Sequence, residues 1–170
     1  MSGRLSKKTG FTIVEVLISI SIVSILITLV FYGYEPILNK AQSVLCISQM
    51  RSIHTSLAAN LADKGTWPQP PENSDLNEQA AWWMDQLAPY GIPPKTWICP
   101  TAKKLLSNQL SSESPKSSYA VSLFDKGPAA PYRWPTQPWL VEGAGDHPNG
   151  PHICFPDGSI QSLNRLLNRN

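Results

Sequence analysis

A lone carboxylate, Glu15, stands in an otherwise uncharged run from Phe11 to Tyr34, five residues beyond Gly10 and just behind the cations Arg4, Lys7 and Lys8. At the centre of a bilayer such a group costs about 2.5–3.5 kcal/mol on insertion scales. Its natural chemistry is ion pairing, because a buried carboxylate and a buried ammonium are each costly alone and relieve one another when they meet. A second set of donors lies near the other end, where Asp146, His147, Asn149, His152 and Asp157 offer nitrogen and oxygen atoms over a short stretch. Calcium asks for six to eight oxygens, more than this loop supplies without carbonyls. Zinc asks for a closed tetrahedral set, which two histidines and two acids form only if the fold converges them. The plainer reading makes Asp157-Gly158 turn chemistry and His147 a loop brace, so no metal is favoured at Asp146, His147 and Asp157, and no cofactor is expected, with calcium the alternative. Three cysteines, Cys46, Cys99 and Cys154, allow one disulfide and a spare thiol in three pairings. Ser, His and Asp are all present, yet there is no nucleophile elbow, zinc-protease helix motif or phosphate-cradling glycine loop. The chain reads as a non-enzyme.

These groups must be positioned by a few elements. From Phe11 to Tyr34 a helix would rise about 36 Å, enough to cross a hydrocarbon core of roughly 30 Å with some tilt. Cations flank it on the N-terminal side, which keeps the first ten residues in the cytoplasm and sends everything after Tyr34 outward. A cleaved secretory signal fits poorly. Its apolar core would be shorter, and the small-x-small sequence Ala41-Gln42-Ser43 lies beyond Pro36 and Lys40. Ser19, Ser21, Ser24 and Thr28 punctuate the span; they either let helices approach and bond one another or bond their own carbonyls. Gly33 and Pro36 predict a kink or a brief unwinding.

Beyond the span, apolar side chains at Ile37, Ala41, Val44, Ile47, Met50, Ile53, Leu57 and Leu61 recur at steps of three or four, a second amphipathic helical stretch that needs cover on one face. Lys64-Gly65 ends it. His54 on this stretch reads as interfacial rather than reactive. Asp75 and Glu78 form a capping pattern for a helix over Leu76–Ala88. Short strands are predicted at Trp97–Cys99, Ser118–Phe124, Trp139–Val141, His152–Phe155 and Ser159–Leu163, the last two joined through Pro156-Asp157-Gly158 as a hairpin. The expected fold class is α+β, one long helix against a small antiparallel sheet. Sixteen prolines and ten glycines imply a loop-rich body. Most of the six tryptophans are expected in the core, and the proline-stiffened Pro131–Pro135 loop, with Tyr132 and Trp134, is the best candidate for contact with a partner. Without residues 1–10 the chain carries 11 basic and 12 acidic side chains, and no basic stripe of the kind nucleic acid attracts.

The run Lys7-Lys8-Thr9-Gly10 followed by Phe11-Thr12-Ile13-Val14-Glu15 resembles the leader and cleavage site of type IV prepilins and of type II secretion pseudopilins. The region from Cys46 to Pro68 resembles the globular half of their N-terminal helix. His147, nine residues and then Asp157-Gly158 resemble the H-x9-DG signature of prepilin-type proteins, with Cys99-Pro100 and Ser118-Tyr119 upstream. The resemblance implies a type IV pilin-like fold, cleavage by prepilin peptidase between Gly10 and Phe11, and N-methylation of Phe11. It further implies that Glu15 pairs with the terminal amine of a neighbouring subunit. Partners would be the peptidase, like or related pilin subunits and the inner-membrane assembly machinery. The chain would be single-pass in the inner membrane with its C-terminal domain periplasmic, and would later enter a filament. Pilin-like proteins with a helix cysteine and a Cys-Pro motif favour Cys46 with Cys99, although strand alternation leaves Cys154 able to face Cys46 instead. In secretion pseudopilins a C-terminal loop often holds calcium. The expected organisation is a leader at 1–10, an assembly helix at 11–34, a globular half-helix at 35–65 and a loop-rich domain at 66–170. The rival is a membrane-anchored exported binding or catalytic domain that does not polymerise.

Overall fold

The computed structural model describes residues 10–102, 117–127, 130–143, 147 and 150–168. Helix α1 runs from Ile13 to Lys64 and is followed by α2 (Leu76–Leu87), β1 (Tyr119–Val121), the short α3 (Ala130–Arg133), β2 (Leu140–Glu142), β3 (His152–Cys154), β4 (Ile160–Ser162) and α4 (Leu163–Leu167). The chain divides into two compact units between Leu38 and Asn39. The fold is α+β, a long N-terminal helix and a small antiparallel sheet, as in pilins.

In the first unit α1 continues through Pro36 without interruption, so the expected unwinding does not occur. A proline inside a helix forfeits one backbone bond and strains the preceding turn, but the flanking residues here stay helical. The span hydroxyls close onto their own helix: Ser19, Ser21, Ser24 and Thr28 each donate to the carbonyl four residues earlier, at 2.8 Å.

In the second unit, residues 39–64 of α1 lie against a four-stranded sheet of order β1-β2-β3-β4, antiparallel throughout. The helix buries Cys46, Met50, Ile53, Leu57 and Leu61 in one cluster with Trp67, Trp97, Trp139, Leu140 and Cys154. The predicted stripe therefore enters the core only from Met50 onward; Ile37, Ala41 and Val44 are exposed and Ile47 is half-buried. Gly65, at φ +71°, ends the helix in the left-handed region, its N–H donating to the Leu61 carbonyl at 2.9 Å. Asp75 and Glu78 cap α2 reciprocally, as the sequence pattern requires.

The aromatics form the bulk of the core. Trp139 lies within 5.3 Å, ring to ring, of His54, Trp67 and Tyr132, and Trp67 also meets Phe124 at 5.1 Å. Of the three fully buried indoles, Trp67 and Trp139 donate their N–H to the carbonyls of Ser122 and Pro131, whereas Trp97 Nε1 has no partner among the described residues. Trp134 is exposed, at the tip expected to meet a partner. One strand expectation fails. Pro94–Trp97 is a 3-10 turn begun by the prolines at 93 and 94, whose fixed φ suits a turn and removes ladder donors. Cys99 then takes a hydrogen bond from its N–H to the Ser118 hydroxyl rather than to a neighbouring strand.

Candidate functional site

The N-terminal chemistry begins at a non-helical stretch, Gly10 to Thr12, that leads into α1. Thr12 accepts the Glu15 N–H on its hydroxyl at 3.3 Å, a side-chain cap that leaves Glu15 in the first helical turn, where the helix dipole favours an acid. The Glu15 carboxylate is exposed and accepts no hydrogen bond among the described residues. A β-carbon at Gly10 would meet no atom within 4 Å, and Gly10 is not among the glycines with positive φ. Among the described residues nothing requires glycine there. Around these residues the helix is apolar and uncovered: Phe11 is 77% exposed, and Ile13, Leu17, Ile25, Val30 and Tyr34 are all exposed. Such a surface is unstable in water without a membrane or neighbouring helices. Helix α1 is long and apolar enough to cross a membrane.

The second unit holds a buried polar centre whose key residue carries no sequence signal. Glu142, at the end of β2, is 2% exposed and holds both histidines of the following loop and strand. Its Oε1 lies 3.0 Å from His147 Nε2, and its Oε2 takes the His152 backbone N–H at 2.9 Å and His152 Nδ1 at 2.8 Å. Burial alone would raise the Glu142 pKa. The side-chain and backbone hydrogen bonds of His152, with the charge and hydrogen bond of His147, outweigh it and hold the carboxyl below its ordinary range. His152 Nε2 reaches the Ser43 hydroxyl on α1 at 3.3 Å. His147 Nε2 also lies 3.4 Å from both Cys99 Sγ and Thr101 Oγ1. Cys46 and Cys99 are joined in a disulfide that ties α1 to the segment before β1, their Cα atoms 5.3 Å apart. Beside the centre Tyr119 donates its hydroxyl to Gln49 Oε1 at 2.9 Å, and burial pushes its phenol pKa up. Glu142 was not among the residues singled out from the sequence; its role shows only in the fold, where the His152 backbone N–H and ring meet its carboxylate.

The H-x9-DG spacing spans β3 rather than enclosing a site. His147 lies before the strand and is 6% exposed, whereas Asp157 lies after it in the β3–β4 turn and is exposed. Asp157 Oδ1 accepts the Ser159 N–H at 2.8 Å, and Gly158 takes φ +78°, the left-handed conformation the turn needs. Asp146 lies outside the described residues. The two described metal candidates serve different parts of the fold: His147 joins Glu142, while Asp157 serves the turn. On the far side of that turn His54 stacks on Trp139 at 4.8 Å and bonds the Pro156 carbonyl through Nε2 at 3.1 Å. A β-carbon at Gly158 would come to 3.4 Å of the His54 ring. His54 is therefore the post on which the hairpin rests, and burial lowers its pKa.

His152 and Cys154 both point into the core, with Ile153 only half-buried between them. Cys154 is a fully buried free thiol, its pKa pushed up to about 12 by burial and by the charge of Asp157. Thiolate, the reactive form, is scarce under those conditions. Cys154 in the folded chain is expected to resist alkylation by iodoacetamide at neutral pH and to react fully once the chain is denatured. Intact-mass measurement reads both states, and rapid alkylation of the folded chain would contradict its placement.

No curated protein and no solved structure matches the chain significantly. Residues 5–31, covering the stretch before α1, Glu15 and most of the apolar run, match the family model described as the prokaryotic N-terminal methylation motif. The chain carries the cleavage motif of pilins and pseudopilins at its N-terminus.

Proposed function

We propose that the chain is a structural subunit of a type IV pilus-like or type II secretion pseudopilus filament, cut by prepilin peptidase between Gly10 and Phe11, N-methylated at Phe11 and assembled through α1. The observation that carries this reading is Glu15: an acid in the first turn of an uncovered apolar helix, inside a methylation motif, whose carboxylate accepts no hydrogen bond among the described residues. Cleavage would place a new amine on Phe11, four residues from Glu15, at the same end of every subunit's helix. A docked neighbour can then offer its amine to this carboxylate, and because each charge is costly when buried alone, the pair sets axial register as well as affinity. Gly10, unconstrained by packing among the described residues, is left to meet the peptidase.

Like or related subunits and the inner-membrane assembly machinery are the partners of this role, and nucleic acid is not among them. Before assembly the chain is single-pass, with its leader cytoplasmic and residues 39–170 periplasmic. The role is structural and asks for no catalytic cofactor.

Glu15→Ala is expected to leave cleavage after Gly10 intact while lowering incorporation into sheared filaments about tenfold or more, the effect of losing at least about 1.4 kcal/mol of docking energy. Immunoblots of the membrane and filament fractions separate the two steps. Filaments with wild-type content of the variant would remove the register role of Glu15.

A further inference from the structure

The Cys46–Cys99 disulfide does not stand alone. One ligand atom from each of Cys46, Cys99, Glu142 and His147 lies within 4.8 Å of the others, and all four residues are buried. Two thiolates, one imidazole and one carboxylate are a donor set suited to zinc, which takes four ligands tetrahedrally with bonds of about 2.0–2.3 Å. The edges of such a tetrahedron would be about 3.3 Å between nitrogen and oxygen and about 3.6 Å between sulfur and nitrogen. His147 Nε2 already sits 3.0 Å from Glu142 Oε1 and 3.4 Å from Cys99 Sγ. The surrounding residues are also arranged as a metal site needs. His152 holds Oε2 of Glu142 with both its backbone N–H and Nδ1, which orients the carboxylate and leaves Oε1 directed toward His147. Thr101 supplies a hydroxyl beside Cys99 Sγ at 3.0 Å, a donor suited to a thiolate.

We propose that Cys46, Cys99, His147 and Glu142 form a zinc site in the dithiol form of the chain, and that the disulfide and the metal are alternative cross-links at one place, tying α1 to the segment before β1 and to the end of β2. Conversion of the zinc form to the disulfide form balances with an acceptor of the protein-disulfide class. The two thiolates give up two electrons, the Sγ–Sγ bond forms and the acceptor's disulfide bond breaks. The acceptor's two sulfurs take up two protons, and Zn2+ leaves. In an oxidising compartment the disulfide prevails; where thiols stay reduced, the metal keeps the same elements joined.

The test uses the full chain in detergent micelles, either oxidised or reduced under argon with a water-soluble phosphine, which takes oxygen from water and delivers two protons to the sulfurs. Zn2+ is titrated against a chromophoric chelator, and Co2+ serves as a spectroscopic stand-in. The reduced chain is expected to bind one Zn2+, and its Co2+ form to show the intense visible bands of tetrahedral cobalt with thiolate charge transfer. The oxidised chain is expected to bind none at this site. His152→Ala should weaken binding about 10- to 100-fold by releasing Glu142, and His147→Ala at least as much, while Cys154→Ser leaves affinity unchanged. Far-ultraviolet circular dichroism checks that each variant is folded, and the wild-type comparison of reduced with oxidised chain stands without any variant. Equal binding by the two redox forms, six-coordinate cobalt, no stoichiometric Zn2+ in the reduced chain, or loss of binding in Cys154→Ser would overturn the proposal.

Discussion

Glu142→Ala is expected to cost about 3–5 kcal/mol of folding stability, the usual result of removing one partner from a buried ionic cluster. The loss is a large share of the 5–15 kcal/mol that holds a typical domain together. Glu142 takes three hydrogen bonds from two histidines in a position that is 2% exposed. Alanine strands the His152 backbone N–H and both rings, and it frees the loop that carries His147. Glutamine keeps the shape, but one of its terminal atoms is a donor and meets a donor, so Glu142→Gln should fall between alanine and wild type. The pH dependence follows from the sign of the shift. The folded carboxyl titrates below its ordinary value of 4.5, so its contribution is fully present above that value and is lost as pH falls through the lower, folded one. The gap between wild type and Glu142→Ala should therefore hold at neutral pH and close in strong acid. Denaturant titration of the detergent-solubilised chain, followed by tryptophan fluorescence at several pH values, measures it; a gap under about 1 kcal/mol at pH 7 would show that the cluster does not hold the sheet together.

Trp139→Ala is expected to cost a similar amount, about 3–5 kcal/mol, for a different reason. Trp139 is fully buried just before β2, with His54, Trp67 and Tyr132 against its ring and its N–H on the Pro131 carbonyl. It joins the helix, the aromatic core and the loop that ends in the exposed Trp134. Deleting it opens a cavity at the point where those three parts meet. Trp139→Phe retains part of the ring contact and should lose less. The same titration distinguishes the two, and a cost below about 1 kcal/mol for the alanine variant would mean that the neighbouring rings collapse into the space.

The fold was largely readable from periodicity and turn chemistry. Steps of three and four from Ile37 to Leu61 marked an apolar face whose Met50, Ile53, Leu57 and Leu61 are buried, Asp75 and Glu78 marked the start of α2, and Pro156-Asp157-Gly158 marked the hairpin. Pairing around these signals is local, so sequence neighbours carry the information. Ile37, Ala41 and Val44 share the same spacing but are exposed, because periodicity shows that a face is apolar without showing where the sheet that covers it begins. Trp97–Cys99 has strand-like residues, but the two prolines before it impose a turn. Pro36 sits in a helix whose regular hydrogen bonds on either side outweigh the one it removes.

The methylation motif was readable in the sequence, and the buried polar centre was not. Gly10, Phe11 and Glu15 stand in a contiguous motif, so their types and spacing suffice. Glu142 gave no sign of itself, because its partners arrive from five and ten residues away only after β2 and β3 pair. His147 was visible as one half of a spacing pattern whose other half, Asp157-Gly158, serves the turn at the opposite end of β3. The convergence of Cys46, Cys99, Glu142 and His147 depends on long-range packing, which no local pattern encodes.

The most direct measurement is the N-terminal mass of the chain isolated from the membranes of cells that express it with prepilin peptidase. The account predicts a chain that begins at Phe11 and carries one methyl group on its terminal amine. A chain that retains residues 1–10, with an unmodified Phe11 in its interior, would contradict it.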